Sequence, residues 1–93
     1  MECRIIKSPT PGVLDILFKR SNTKIEKTVC VDAVGLVHGR MIDMVVAADL
    51  AQKVVDVTVC DIRGSCPQNM VLLAIFGDTA SVESAISIIK ESM

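Results

Sequence analysis

The chain has 93 residues, enough for one domain, and 51% of them are hydrophobic, giving a mean hydropathy of +0.51 without any run of about 18 apolar residues that would span a bilayer. Ten Lys and Arg against 11 Asp and Glu leave a net charge of −1, and aromatics make up only 2%, with no Trp or Tyr, so nucleic-acid binding lacks both its basic footprint and its stacking platforms. A chain this short buries about 65% of its unfolded surface. The surplus of apolar side chains therefore predicts self-association rather than membrane insertion.

The N-terminal residues Met1-Glu2-Cys3-Arg4-Ile5-Ile6-Lys7 carry charges where a signal peptide would be apolar, which points to the cytoplasm. There the four cysteines, at positions 3, 30, 60 and 66, are expected as thiols. No two of them form a C-x-x-C pair, so no zinc ribbon or one-chain ferredoxin site is built from adjacent ligands.

In chain order, residues 3 to 8 read as a short strand broken by Pro9-Thr10-Pro11-Gly12. Val13, Leu14, Ile16, Leu17 and Phe18 then suit a brief helix ending at Lys19-Arg20, where cations favour a helix C-terminus. Residues 21 to 30 are a polar, basic connector with a weak strand signal at Ile25 to Val29. Val31 to Val37 reads as a strand. Met41, Met44, Val45, Ala48 and Val55 recur at helical spacing and predict a helix from about Arg40 to Val54 with those residues as its core face. Val57-Thr58-Val59-Cys60 and Met70 to Phe76 are two further strands. Gly77-Asp78-Thr79 supplies a stop and an N-cap, and Val82, Ala85, Ile86, Ile89 and Met93 mark the apolar stripe of a last helix.

Residues 31 to 93 thus read β-α-β-β-α, one strand short of a split β-α-β-β-α-β unit. Residues 3 to 20 supply the missing strand and a short helix, which makes the chain a circular permutant if its termini lie close together. An ordinary ferredoxin-like fold with an N-terminal extension is the simpler alternative. Either way the expected class is α/β (α+β), an antiparallel sheet with helices packed on it, in a single domain over residues 1 to 93.

The two neighbouring strands, Val57 to Cys60 and Met70 to Phe76, flank Asp61-Ile62-Arg63-Gly64-Ser65-Cys66-Pro67-Gln68-Asn69, a hairpin connection rich in turn formers. A thiol at a solvated tip needs a chemical reason, because unpaired cysteine is usually buried and exposed cysteine is reactive. Cys3, Cys30 and Cys60 suit small core positions. His38, the only histidine, suits a hydrogen-bonding role, and Asp49 and Lys53 are spaced for an i,i+4 ion pair. One histidine and scattered carboxylates give no acid-base pair, so an enzyme is not expected.

Asp32-Ala33-Val34-Gly35-Leu36-Val37, then Val46-Ala47-Ala48-Asp49-Leu50-Ala51-Gln52-Lys53, then Gly64-Ser65 and Ile75-Phe76-Gly77-Asp78-Thr79-Ala80-Ser81-Val82-Glu83-Ser84-Ala85 together resemble the bacterial microcompartment shell-protein domain. Arg4 to Pro9 and Leu14 to Leu17 look like the strand and short helix that this family carries at its C-terminus. The chain is accordingly similar to the circularly permuted subgroup found with glycyl-radical-enzyme microcompartments, whose pore loop reads Gly-Ser-Cys-Pro. The resemblance implies a homo-hexamer that tiles with other shell proteins. It implies a central pore lined by Arg63, Gly64, Ser65, Cys66, Pro67 and Gln68, and an iron–sulfur cluster, of [4Fe-4S] type, shared between subunits through Cys66. It also places Lys53 at the hexamer edge, facing the next hexamer. A small oligomeric carrier or sensor of the same fold, binding a metal or metabolite through Cys66 and forming no shell, is the competing expectation.

Overall fold

A computed structural model describes residues 1–21, 31–54, 56–62 and 70–92. Its elements in chain order are β1 (Glu2–Lys7), α1 (Pro11–Arg20), β2 (Ala33–Arg40), α2 (Met41–Val54), β3 (Thr58–Ile62), β4 (Met70–Gly77) and α3 (Thr79–Ser92). The strands form one antiparallel sheet in the order β1-β2-β4-β3. The expected mixed class and antiparallel sheet are therefore what the chain adopts. The weak strand signal at Ile25 to Val29 lies outside the described residues.

Strand alternation divides the sheet into two packed faces. On one face Val37, Leu73 and Ile75 meet the inward stripes of α2 and α3, with Met44, Ala47, Ala51, Val82, Ala85, Ile86 and Ile89 all buried. On the other, Val34, Cys60, Ile62, Ala74 and Phe76 are covered by α1 through Leu17, with Val13, Leu14 and Phe18 packed around it. The rings of Phe18 and Phe76 lie 5.6 Å apart, tilted by 47°. A short chain thus fills two thin cores instead of one thick one.

Local chemistry explains the element ends. The segment Pro9 to Gly12 does not break the chain as far as the sequence suggests, because Pro11 occupies the first turn of α1, where its missing N–H is not needed. Thr10 caps that helix, its Oγ1 accepting from the Val13 N–H at 3.3 Å. Before it, Ser8 turns the chain with φ at +50°, and its N–H donates to the Asp32 carbonyl at 2.9 Å. Asp78 caps α3 as the sequence indicates, with Oδ1 accepting from the Ser81 N–H at 2.7 Å. β2 runs through His38 and Gly39 to Arg40, beyond the expected end at Val37, because its register with β4 continues through Leu72, Val71 and Met70.

The core face of α2 differs from the expected one. Met44 is buried and Ala48 packs partly against the core, but Met41 and Val45 are 51% and 66% exposed, and the inward stripe is instead Met44, Ala47 and Ala51. Two alanines let α2 lie close to the sheet and to α3. Larger side chains would hold it away.

Candidate functional site

Two regions carry the functional questions: the end of the β3–β4 hairpin and the outer surface of α2. The hairpin itself forms as expected, with β3 and β4 antiparallel and Ile62 opposite Leu72. Arg63, Gly64, Ser65, Cys66, Pro67 and Gln68 lie outside the described residues, as does Cys30. Alternation along β3 sends Cys60 and Ile62 into the core beneath α1, while Asp61 falls on the face that carries α2.

The described thiols are thereby taken up in packing. Cys60 is 1% exposed among apolar neighbours, and Cys3 is half-buried against the other core. They stand on β3 and β1, the two opposite edges of the sheet. Among the described residues no group of three or more His, Cys, Asp or Glu side chains is placed to hold a metal ion.

Lys53 sits in the last turn of α2 with 69% of its side chain exposed. Its Nζ lies 2.8 Å from Asp49 Oδ2, one turn back, so the spacing read from the sequence does form an ion pair. The hydrogen bond to Asp49, reinforced by that carboxylate's charge, holds the Lys53 ammonium above its ordinary pKa. Lys53 is therefore a fixed positive charge at every physiological pH. His38 is half-buried on β2, opposite Glu2 on one side and Leu72 on the other.

The feature that sequence periodicity missed is the outer stripe of α2. Ile42 is 73% exposed, Val45 66%, Met41 51% and Val46 47%. Beside this stripe a groove of about 350 Å³ runs between α2 and the strands, lined by Met41, Met44, Val45, Ala48, Val71 and Leu73, with Asp61 as the one ionisable lining residue among the described residues. A helix that is apolar on nearly all sides is ordinarily buried on nearly all sides. The signal was present in the sequence as an excess of apolar residues over what one stripe needs.

Among the described residues no helix is long and apolar enough to cross a membrane. The profile of the BMC domain matches residues 33–93. Among solved structures, the ligand-free GrpU microcompartment shell protein from Clostridiales bacterium 1_7_47FAA is 53% identical to this chain, covering 99% of it and 94% of that protein, with a TM-score of 0.75. The ligand-free GrpU microcompartment shell protein from Pectobacterium wasabiae is 33% identical, covering 96% of this chain and 99% of that protein, with a TM-score of 0.77. Among curated proteins no sequence matches this chain.

Proposed function

This chain belongs to the BMC-domain family of bacterial microcompartment shell proteins, and from that premise we propose that it is a structural tile of such a shell, forming a homo-hexamer that packs edge to edge with other shell proteins in the bacterial cytoplasm. The observation that carries this reading is the 53% identity over 99% of the chain to a shell protein. The outer apolar stripe of α2 supports it, because a lone subunit would leave that stripe in water. The tile role is structural, in keeping with relatives that are microcompartment shell proteins.

The chain order is read as a circular permutation of the family domain. The matched profile begins at residue 33, yet β1 and α1, which precede it, supply a sheet edge beside β2 and the cover of the second sheet face. Both elements are integral to the fold. A loose extension would contribute neither.

The hairpin connection is assigned to the ring's central pore, with Cys66 as the ligand of an iron–sulfur cluster. The donor set is consistent with this only across copies. Cys60 and Cys3 are engaged in packing on opposite edges of the sheet, Cys30 stands in the polar connector sequence, and Cys66 is the thiol that a turn sequence offers once per chain. A cluster site would therefore need several chains around an axis, and Cys66 thiolates from alternating copies in the ring would hold it. When bound, such a cluster would supply one-electron transfer. The backbone N–H groups of Gly64 and Ser65 and the Arg63 guanidinium are the groups assigned to stabilise its negative charge.

Electron microscopy of the purified protein tests the tile reading: ordered hexagonal sheets are expected. Discrete oligomers that never form sheets, alone or with other shell proteins, would favour the carrier or sensor of the same fold.

A further inference from the structure

Helix α1 does not cover its face of the sheet evenly. It starts just past the end of β1, where the Ser8 N–H meets the Asp32 carbonyl, and it stops before Ser21, which bridges to Ile62 on β3 at the opposite end of the sheet. The helix therefore crosses the sheet on a diagonal and leaves bare the corner made by the start of β1 and the end of β2. Register and alternation put Glu2, Arg4, His38 and Arg40 in that corner, on the same side as Ile6, Val34 and Leu36. We propose that this corner binds a small organic dianion, held by the guanidinium groups of Arg4 and Arg40 with His38 between them and Leu36 and Leu72 as its apolar floor.

The charges on the corner favour an anion. Arg4 and Arg40 against Glu2 give a side-chain balance of +1 before His38 is counted, in a chain whose net charge is −1. Arg40 is exposed and has no ion pair among the described residues. Arg4 has a loose one. Its Nη2 lies 4.0 Å from Glu2 Oε2, and the two side chains are 75% and 74% exposed, so water screens the pair and a ligand can replace it. A dianion that displaces Glu2 matches both guanidinium charges, and each guanidinium offers paired donors to one carboxylate or phosphate. The corner's own carboxylate is thus a competitor of the ligand.

The spacing favours two charges over one. Arg4 stands opposite Leu36 and Arg40 lies four residues beyond Leu36 on β2, which separates the two arginines by about 13 Å along the strand direction, with His38 midway. Their long side chains can close over His38 from both ends, whereas a monoanion would engage one of them. His38 is half-buried and pairs in register with Leu72, and Leu36 and Leu72 are themselves half-buried against the core beneath α1. The middle of the corner is therefore apolar and its two ends are cationic. Everything named stands in one chain, so the site does not depend on the ring assembly.

The test uses the full chain and follows the ring signals of His38, the only histidine, by NMR at constant ionic strength as glutarate, propyl phosphate or acetate is added. Glutarate, propyl phosphate or both are expected to move those signals along a saturating curve, and the tighter of the two tells a dicarboxylate from a phosphate monoester as the class of ligand. Acetate is expected to bind about fivefold more weakly or worse. Arg4→Gln and Arg40→Gln should each weaken the dianion about fivefold or more, and Glu2→Gln should strengthen it about threefold. All three substitutions replace exposed side chains, and circular dichroism confirms that the variants fold. Signals that do not saturate by about 10 mM, acetate that binds as tightly as the dianions, or arginine variants that bind like wild type overturn the proposal. Each of these outcomes leaves the shell reading standing, because ordered sheets are what decide it.

Discussion

A Cβ placed on Gly35 would lie 2.9 Å from Ile86 Cδ1 and 3.2 Å from Val82 Cγ1, so α3 seats on β2 because position 35 has no side chain. Ile86 is 3% exposed and Val82 fully buried, so any shift of the Ile86 side chain is made against a packed core. Gly35→Ala is expected to destabilise the protein by about 1–3 kcal/mol through overpacking, despite the better backbone entropy of alanine. Ile86→Val removes the nearest of the crowding atoms, Cδ1, and leaves the γ carbons of Ile86 and Val82 at 3.1 and 3.2 Å. Chemical denaturation at fixed protein concentration should therefore show that Ile86→Val costs less in the Gly35→Ala background than alone; purely additive effects would mean that the helix simply shifts.

The Asp78 carboxylate gives α3 a pH-dependent start. The Ser81 N–H bonded to it, with the Ser81 hydroxyl donating to Oδ2 at 3.1 Å, holds its pKa below the ordinary 3.8. In the window between the folded and unfolded values the unfolded chain binds more protons, so this contribution is present above pH 3.8 and is lost as pH falls through the depressed value. Asp78→Asn keeps a capping oxygen without the titration. The melting temperature of wild type should exceed that of Asp78→Asn near neutrality and converge on it in acid. A constant gap down to about pH 2 would show that the charge of Asp78 is irrelevant to the helix.

The family resemblance implies a contact between hexamers for Lys53, and its geometry allows that role to be separated from one within the helix. Lys53→Asp should leave the hexamer intact and abolish ordered sheets, because like charges then meet across the rim. It also places two carboxylates one turn apart at positions 49 and 53, where the wild-type pair stands at 2.8 Å. The double variant Lys53→Asp with Asp49→Lys restores an intrahelical pair but not the position of the cation. Sheets should stay absent in it by electron microscopy; sheets regained would assign Lys53 to helix support alone.

How legible a helix is depends on how much apolar surface it carries. In α3 the stripe Val82, Ala85, Ile86 and Ile89 is the one buried, because the rest of that helix is polar apart from Ala80 and Ile88 and leaves no second stripe. In α2 apolar residues cover nearly every side, so spacing alone could not decide between a face with Val45 and one with Ala47 and Ala51. Packing against α3 and the sheet decided it, and the surplus became the exposed stripe. The start of α1 was encoded in Thr10-Pro11 and obscured by the neighbouring Pro9 and Gly12. His38 and Gly39 are weak strand formers that β2 keeps only because β4 pairs with them, a long-range cause that no local window contains. The chemistry of residues 63 to 69 is legible as turn sequence and as the resemblance, and it is on that ground that Cys66 is assigned.

The loop chemistry makes the sharpest demand on the cysteines. Cys66→Ser keeps size and removes the soft ligand, so the brown colour and broad visible absorption of anaerobically reconstituted protein should vanish while the hexamer persists. Because a symmetric ring of six copies would offer six thiols to a cluster that takes three or four, wild type should be oxygen-sensitive and carry less than full iron as isolated. The control is Cys60. Its side chain is 1% exposed in an apolar core, so Cys60→Ser buries a hydroxyl and should cost about 1–3 kcal/mol of stability, whereas Cys60→Ala leaves only a small void. Cys60→Ala should therefore retain the absorption that Cys66→Ser loses. Iron retained in Cys66→Ser but lost from Cys3, Cys30 or Cys60 variants would move the cluster out of the pore and into the subunit, where the described thiols stand on opposite edges of the sheet and a second chain would have to complete the site.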